Sequence, residues 1–377
     1  MAAFSTELIQ KRQEKLAAAI QAAQLDGLAL NPSPSLAYFT GLHFHELSER
    51  PVVVFFTPTE IPVIVLPELE AGKAESTEYE LKAFPYGEDP DTWSPSFIQG
   101  AQAAGLAGDL VIGVEDRNMR LLELRLLETA MPQAIFSEAI EITSSLRMAK
   151  DKNEIGAMKK AAEIAEQAWE ATKPMVKAGV TEQEIAGELT LQLLRSGSEP
   201  KLPFTPLVAG GPDNSPNPHH FPGGRKLQTG DLLIVDWGAT ADGYFSDITR
   251  TFGIGEVGKE LQTIHQTVQA ANAAGRQAAK PGATCDAVDK AARDAIEAAG
   301  FGKYFIHRTG HGLGMEGHEA PYIRAGNPMK LEAGMTFTIE PGIYIPGKGG
   351  VRIEDNVAIT GDGLEVLTTL PRELILL

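Results

Sequence analysis

Residues 231–252 read DLLIVDWGATADGYFSDITRTF, two β-rich runs on either side of Asp242–Gly243. Asp-Gly between such runs is a strong two-residue hairpin turn. With the turn there, Asp236 stands opposite Thr249, and Asp247 lies two residues from Thr249 on the same face. The two aspartates become diagonal neighbours, roughly 7–8 Å apart at the backbone. A carboxylate in an otherwise apolar strand is costly unless it is paired or bound to a cation.

The layout around this hairpin occurs twice. KAGVT at 177–181 matches KPGAT at 280–284, and GDLLIVDWG at 230–238 matches AGMTFTIEPG at 333–342, offsets of 103 and 104 positions. Each copy runs helix, helix, hairpin, an internal duplication that makes Asp236 and Glu340 equivalent. In FTIEPGIYIPGKGGVRIEDN (337–356) a loop centred on Gly347 puts Glu340 opposite Glu354, with Arg352 on the same face. Four carboxylates facing one another across a pseudo-twofold repel strongly unless cations lie between them. Any one of these acids alone reads as a solvated surface residue. The duplication, the shared faces and a histidine cluster between the hairpins favour a metal site.

That cluster is HRTGHGLGMEGHE (307–319), with His307, His311 and His318. The i, i+4 spacing of the first two matches a helical zinc-protease motif. Gly310, Gly312, Gly314 and Gly317 rule out a comfortable helix, at about 1 kcal/mol each, and Arg308 stands where that motif needs glutamate. The histidines therefore lie on a strand or glycine-rich loop, and the remaining ligands come from elsewhere. Oxygen-rich donors with one imidazole suit Mn, Co, Fe or Zn, and bridging carboxylates suit a dinuclear centre.

The 377 residues suffice for two domains, and the apolar fraction is that of a globular protein. A net charge of −17 argues against nucleic acid or an anionic membrane as partner. A single cysteine, Cys285, excludes an internal disulfide framework and reads as a small buried residue near a helix start. MAAFSTELIQKRQEK has no apolar core of signal-peptide length and no later segment approaches a membrane span, so a cytoplasmic location is expected.

Residues 6–24 read as an amphipathic helix, VVVFF (52–56) and VIVL (63–66) as strands, with further α/β alternation to about residue 143. His43 and His45 fall there without acidic partners and read as isolated. From SSLRMAKDKNEI (144–155) a long helix is expected through about residue 176, placing the domain boundary between 143 and 144. Thr181 and Glu184 form a capping box that opens the next helix.

VDWGATADGYFSDITRTF, HRTGHGLGMEGHE, TIEPGIYI and GGVRIEDN together resemble the pita-bread metallopeptidases: methionine aminopeptidase, aminopeptidase P, prolidase and creatinase. The resemblance covers roughly residues 150–377 and implies an α+β catalytic domain, 144–377, behind a creatinase-like α/β domain, 1–143. It implies that Asp236 binds one metal, Asp247 and Glu354 bridge two, and His311 and Glu340 bind the second. Both ions would be divalent, with Mn first and Co, Zn or Fe as alternatives. A metal-bridged hydroxide would then attack the peptide, with Glu340 moving protons. His318 resembles the family's catalytic histidine, and His219, in SPNPHHFPGG, resembles a further family histidine, leaving His220 incidental. Arg352 resembles an arginine that pairs with a site carboxylate or the substrate; a plain salt bridge also explains it. His307 shapes the pocket or packs behind it. The extra domain argues against methionine aminopeptidase, and the full ligand set argues against metal-free creatinase. The expected activity is an Xaa-Pro dipeptidase acting as a homodimer. The alternatives are an Xaa-Pro aminopeptidase acting on longer peptides, or an inactive binding scaffold whose ligands would be degraded.

Overall fold

The computed structural model describes residues 4–44 and 49–377, so His45 lies outside the described residues. The chain divides into two compact units, Met1–Arg147 and Met148–Leu377. Among the described residues no helix is long and apolar enough to cross a membrane.

The first unit is built on a six-stranded sheet. The apolar runs at Val53–Phe56 and Val63–Pro67 are its inner antiparallel strands, and every residue in them is buried. Burial on both faces explains why they read as continuous apolar runs, without alternation. Gly27–Leu30 pairs with Val53–Phe56 on one side and in parallel with Val111–Val114 on the other. Helix Thr6–Ala22 buries Ile9, Leu16 and Ile20, at helical spacing. His43 stacks edge-on against Phe4.

The helix expected from 144 to 176 is interrupted. Helix Ile140–Met148 ends, and a new one, Lys152–Thr172, starts after Asp151. Asp151 accepts the N–H groups of Asn153 and Glu154 while the Glu154 carboxylate accepts that of Asp151, a capping box that forces an N-terminus there. The box at Thr181 and Glu184 opens Glu182–Arg195 as its spacing requires.

The second unit shows the duplication in its backbone. Helix pair Lys152–Thr172 and Glu182–Arg195 has its counterpart in Lys259–Ala278 and Cys285–Ala298. Gly179 (φ +92°) and Gly282 (φ +81°) take the left-handed conformation between the helices of each pair. Their N–H groups donate to Leu227 O and Leu331 O, both at 2.8 Å. Thr181 and Thr284 then cap the second helix of each pair. Trp169 stacks on Phe252 with ring centroids 4.4 Å apart, and the Trp237 indole N–H donates to Ala165 O, locking the first helix of the unit onto its hairpin. Cys285 is fully buried at the start of its helix, where burial pushes its thiol up to about 11.

Both hairpins take the expected registers. Asp242 (φ +50°) and Gly243 (φ +77°) form the turn, Ala241 pairs with Tyr244, and Asp236 faces Thr249. In the second copy Gly342 pairs with Arg352 and Ile339 with Asp355, so Glu340 and Glu354 fall opposite each other where the two ladders meet.

Candidate metal centre

The two hairpins join at Thr249. Glu354 N–H donates to Thr249 O at 3.0 Å, and Thr249 Oγ1 donates to Glu354 Oε2 at 2.6 Å. Two residues further along, Asn356 stands in for a ladder partner. Its Oδ1 accepts from Asp247 N at 2.9 Å and its Nδ2 donates to Asp247 O, which aims the Asp247 side chain at Glu354.

His311 arrives on the short strand Gly310–Gly312. A side chain at Gly310 would lie 1.9 Å from Thr338 O, so glycine is needed there for close approach of two backbones. Thr338 Oγ1 accepts from His311 N at 3.1 Å and donates to Glu340 Oε1 at 3.3 Å, holding both residues. His311 Nδ1–H donates to Gly312 O at 3.0 Å, which leaves Nε2 facing Glu340 Oε1 at 3.4 Å and Asp247 Oδ2 at 3.7 Å. Fixing one ring nitrogen so that the other presents its lone pair is how proteins orient a metal-binding imidazole.

One ligand atom each from Asp247, His311 and Glu354 lie within 4.8 Å of one another. Asp236 stands outside this trio, its Oδ2 accepting from Arg352 Nη2 at 2.6 Å. Asp236 Oδ1 and Glu354 Oε1 are buried with no hydrogen-bond partner among the described residues. Burial, then repulsion from Glu354, Asp236 and Glu340, holds Asp247 well above the carboxylate range, and Glu354 is raised likewise by burial, Glu340 and Asp236. Burial pushes Glu340 up to about 7. His311 is held well below its ordinary value by burial and by His318, so its imidazole is neutral. Unsatisfied oxygens, mutually repelling acids and a neutral imidazole on one cavity fit divalent cations, which reverse these shifts by replacing the protons.

Arg352 extends a chain of donors away from Asp236. Its Nη1 donates to Tyr344 Oη at 3.0 Å, its Nε to Thr249 Oγ1 at 3.1 Å. Tyr344 in turn donates to His307 Nε2 at 2.9 Å, and His307 Nδ1–H donates to Arg308 O at 2.7 Å. The protonation states agree with these directions. Burial raises Tyr344 to about 12, and burial with the charge of Arg352 lowers His307 to about 4.

All nine residues singled out from sequence line one cavity of about 860 Å³: Asp236, Asp247, His311, Glu340, Glu354, His318, His219, Arg352 and His307. The His318 ring lies edge-on to His311, centroids 4.1 Å apart. His219 is exposed at the mouth. His220, expected to be incidental, is not: its Nε2 meets Glu182 Oε2 at 2.9 Å, and buried Glu182 also accepts from Gly210 N and Gly223 N. It ties down the loop that carries His219. Asn356 and Tyr344 were not singled out from sequence, and Thr249 only as the residue opposite Asp236. Of the first two, Tyr344 alone left a signal there, on the same strand face as Gly342, opposite Arg352, where the missing side chain makes room for its ring.

Comparison with known proteins bears on this site directly. Residues 156–361 match the model of metallopeptidase family M24, and residues 12–149 match the creatinase/prolidase N-terminal domain. The chain belongs to metallopeptidase family M24. The M24 match contains every residue of the centre described above. The chain is 36% identical to the putative dipeptidase YkvY of Bacillus subtilis, over 92% of this chain and 94% of that one. It is 33% identical to the Xaa-Pro dipeptidase of Lactobacillus helveticus, over 96% and 97%. The crystal structure of a dipeptidase from Pyrococcus horikoshii matches with a TM-score of 0.91 at 37% identity, covering 97% of this chain and 100% of that one. The M24 family implies divalent metal ions, and the chain is a pita-bread metallopeptidase with a creatinase-type N-terminal domain.

Proposed function

We propose that this M24 peptidase hydrolyses the Xaa-Pro bond of dipeptides. The observation that carries the reading is the gathering of four carboxylates, His311 and His318 on one cavity, in a chain related over nearly its whole length to dipeptidases.

Asp236, Asp247, His311, Glu340 and Glu354 would hold two divalent ions, with Mn the first choice for so oxygen-rich a set. Bound there, the ions lower the pKa of the attacking water and polarise the scissile carbonyl. Glu340, on the same cavity as the attacking water, takes its proton and delivers it to the leaving nitrogen. His318 donates to the developing oxyanion. Its own basicity is lowered first by partial desolvation at the cavity wall and then by the charge of Arg308. The nitrogen of a proline leaving group carries no N–H in the substrate, so a ring must be recognised by shape. His219 and His318 border that ring, and Arg352 and His307 hold the wall behind it through Tyr344.

A second reading, an Xaa-Pro aminopeptidase, uses the same residues on longer peptides. Hydrolysis of Ala-Pro and Ala-Pro-Ala by metal-stripped protein, with and without manganese, separates them. Cleavage of Ala-Pro alone supports the dipeptidase, and preference for Ala-Pro-Ala the aminopeptidase. With neither cut, the proline assignment falls and the binding scaffold takes its place. We further propose a cytoplasmic homodimer, on the strength of the lone buried cysteine and the family's N-terminal domain. Light scattering of the purified chain tests the dimer.

A further inference from the structure

His318 reaches the cavity from a poorly braced stretch of chain. It ends the loop that follows strand Gly310–Gly312 and precedes strand Glu319–Ile323. These strands pair antiparallel, but their register shifts between His311 and Gly312, so the ladder does not by itself set where the loop stands. His318 is exposed, whereas its neighbour Glu319 is buried.

Buried beneath the loop is a charged pair unused by the chemistry above. Lys150 Nζ donates to Glu319 Oε1, and the two side chains are 2% and 4% exposed. Lys150 is itself fixed at both ends. Its N–H donates to Gly334 O at 2.8 Å, and its Nζ also reaches Met148 O at 3.3 Å. A side chain at Gly314 would lie 2.7 Å from Glu319 Oε1 and 2.8 Å from Lys150 Cε, so the loop lies directly against the pair. Gly314 O then accepts from Phe245 N, on the returning strand of the first hairpin, at 2.8 Å. As a stabiliser such a pair is weak, since apolar residues of similar volume do as well; what it fixes is geometry.

We propose that Lys150 and Glu319 are positioning residues for His318. The pair anchors the first residue after the histidine, and Gly314 seats the other end of the loop on the same pair, so the imidazole is held edge-on to His311. The consequence for catalysis rests on the role proposed above for His318; the placement itself does not.

The test uses Lys150→Met, Lys150→Met/Glu319→Gln, Gly314→Ala and His318→Ala in the full-length, metal-loaded chain. The double variant removes both charges, so it folds even where an unpaired Glu319 does not allow Lys150→Met to fold. Each of the first three lowers kcat on Ala-Pro about 10- to 100-fold, as misplacement of a reacting group does, while metal content per chain stays that of the native protein. Added to His318→Ala, the Lys150→Met/Glu319→Gln change costs less than about twofold, because the group it positions is gone. Equal losses in both backgrounds, or loss of metal, overturn the proposal. Placement is read without catalysis from the His318 imidazole NMR signal of the zinc-loaded protein, assigned by its absence in His318→Ala. A signal unmoved in the double variant overturns the proposal. A moved signal with a fully active His318→Ala upholds the placement and sinks the catalytic role of His318 instead.

Discussion

Thr249 and Glu354 hold each other twice, backbone to backbone at 3.0 Å and hydroxyl to carboxylate at 2.6 Å, and this is where the two copies of the repeat are sewn together. Thr249 also faces Asp236 across the first hairpin and accepts from Arg352. Replacing it with valine keeps the shape and removes the hydroxyl. Glu354 then has neither oxygen satisfied and leans away from the cation site. Metal affinity of Thr249→Val falls about 10- to 100-fold, the usual effect of losing a group that orients a ligand. Titration calorimetry of metal-stripped protein measures it, and unchanged affinity refutes the orienting role.

Tyr344 carries a hydroxyl that both accepts from Arg352 and donates to His307. Tyr344→Phe strands a buried guanidinium N–H and an imidazole nitrogen, at a cost of about 1–3 kcal/mol for each group left unsatisfied. The melting temperature drops, and kcat/KM falls about tenfold as Arg352 loosens its hold on Asp236. An active-site role fails if the melt shifts and the kinetics do not.

The carboxylates set a pH dependence whose sign follows from their direction. Glu340 is raised from 4.5 to about 7, so between those values the folded, metal-free chain binds more protons than the unfolded chain. Its contribution to stability is therefore lost as pH rises through that window. Divalent ions displace the same protons, so the stabilisation they confer grows in the same direction. The gain in melting temperature on adding manganese is larger at about pH 7.5 than at about pH 5. A gain independent of pH would show that these carboxylates are not the ligands.

Gly310 is fixed by contact and not by conformation. A methyl group there meets Thr338 O at 1.9 Å, backbone against backbone, where no side chain can move aside. Gly310→Ala destabilises the metal-free protein by about 3 kcal/mol or more, read from urea unfolding. Alanine at Gly317, which has nothing within 4 Å, is the control and changes stability little.

Two periodicities made much of this chain legible from the residues alone. The Asp242–Gly243 turn and the loop centred on Gly347 each set a register, and a register determines every pair along a hairpin, so Asp236 opposite Thr249 and Glu340 opposite Glu354 follow from local chemistry. The duplicated segments showed that both hairpins belong to one architecture, and the glycines among the histidines excluded a helix. Where local signals competed, reading by period erred: the Asp151 capping box, four residues of purely local hydrogen bonding, cut a helix that apolar spacing alone runs together.

What the tertiary structure decided is how separate elements meet. No spacing places Asn356 on the backbone of Asp247, Tyr344 between Arg352 and His307, or Lys150 on Glu319, because each pairing joins distant or differently twisted segments whose approach is set by packing. His220 shows the same limit, since its partner Glu182 lies on a helix that sequence gives no reason to bring near. Hydrogen-bond registers repeat and can be counted along a chain. Burial is a property of the whole fold, and it is burial that raises Asp247, Glu340 and Glu354 together and makes their shared cavity a place for cations.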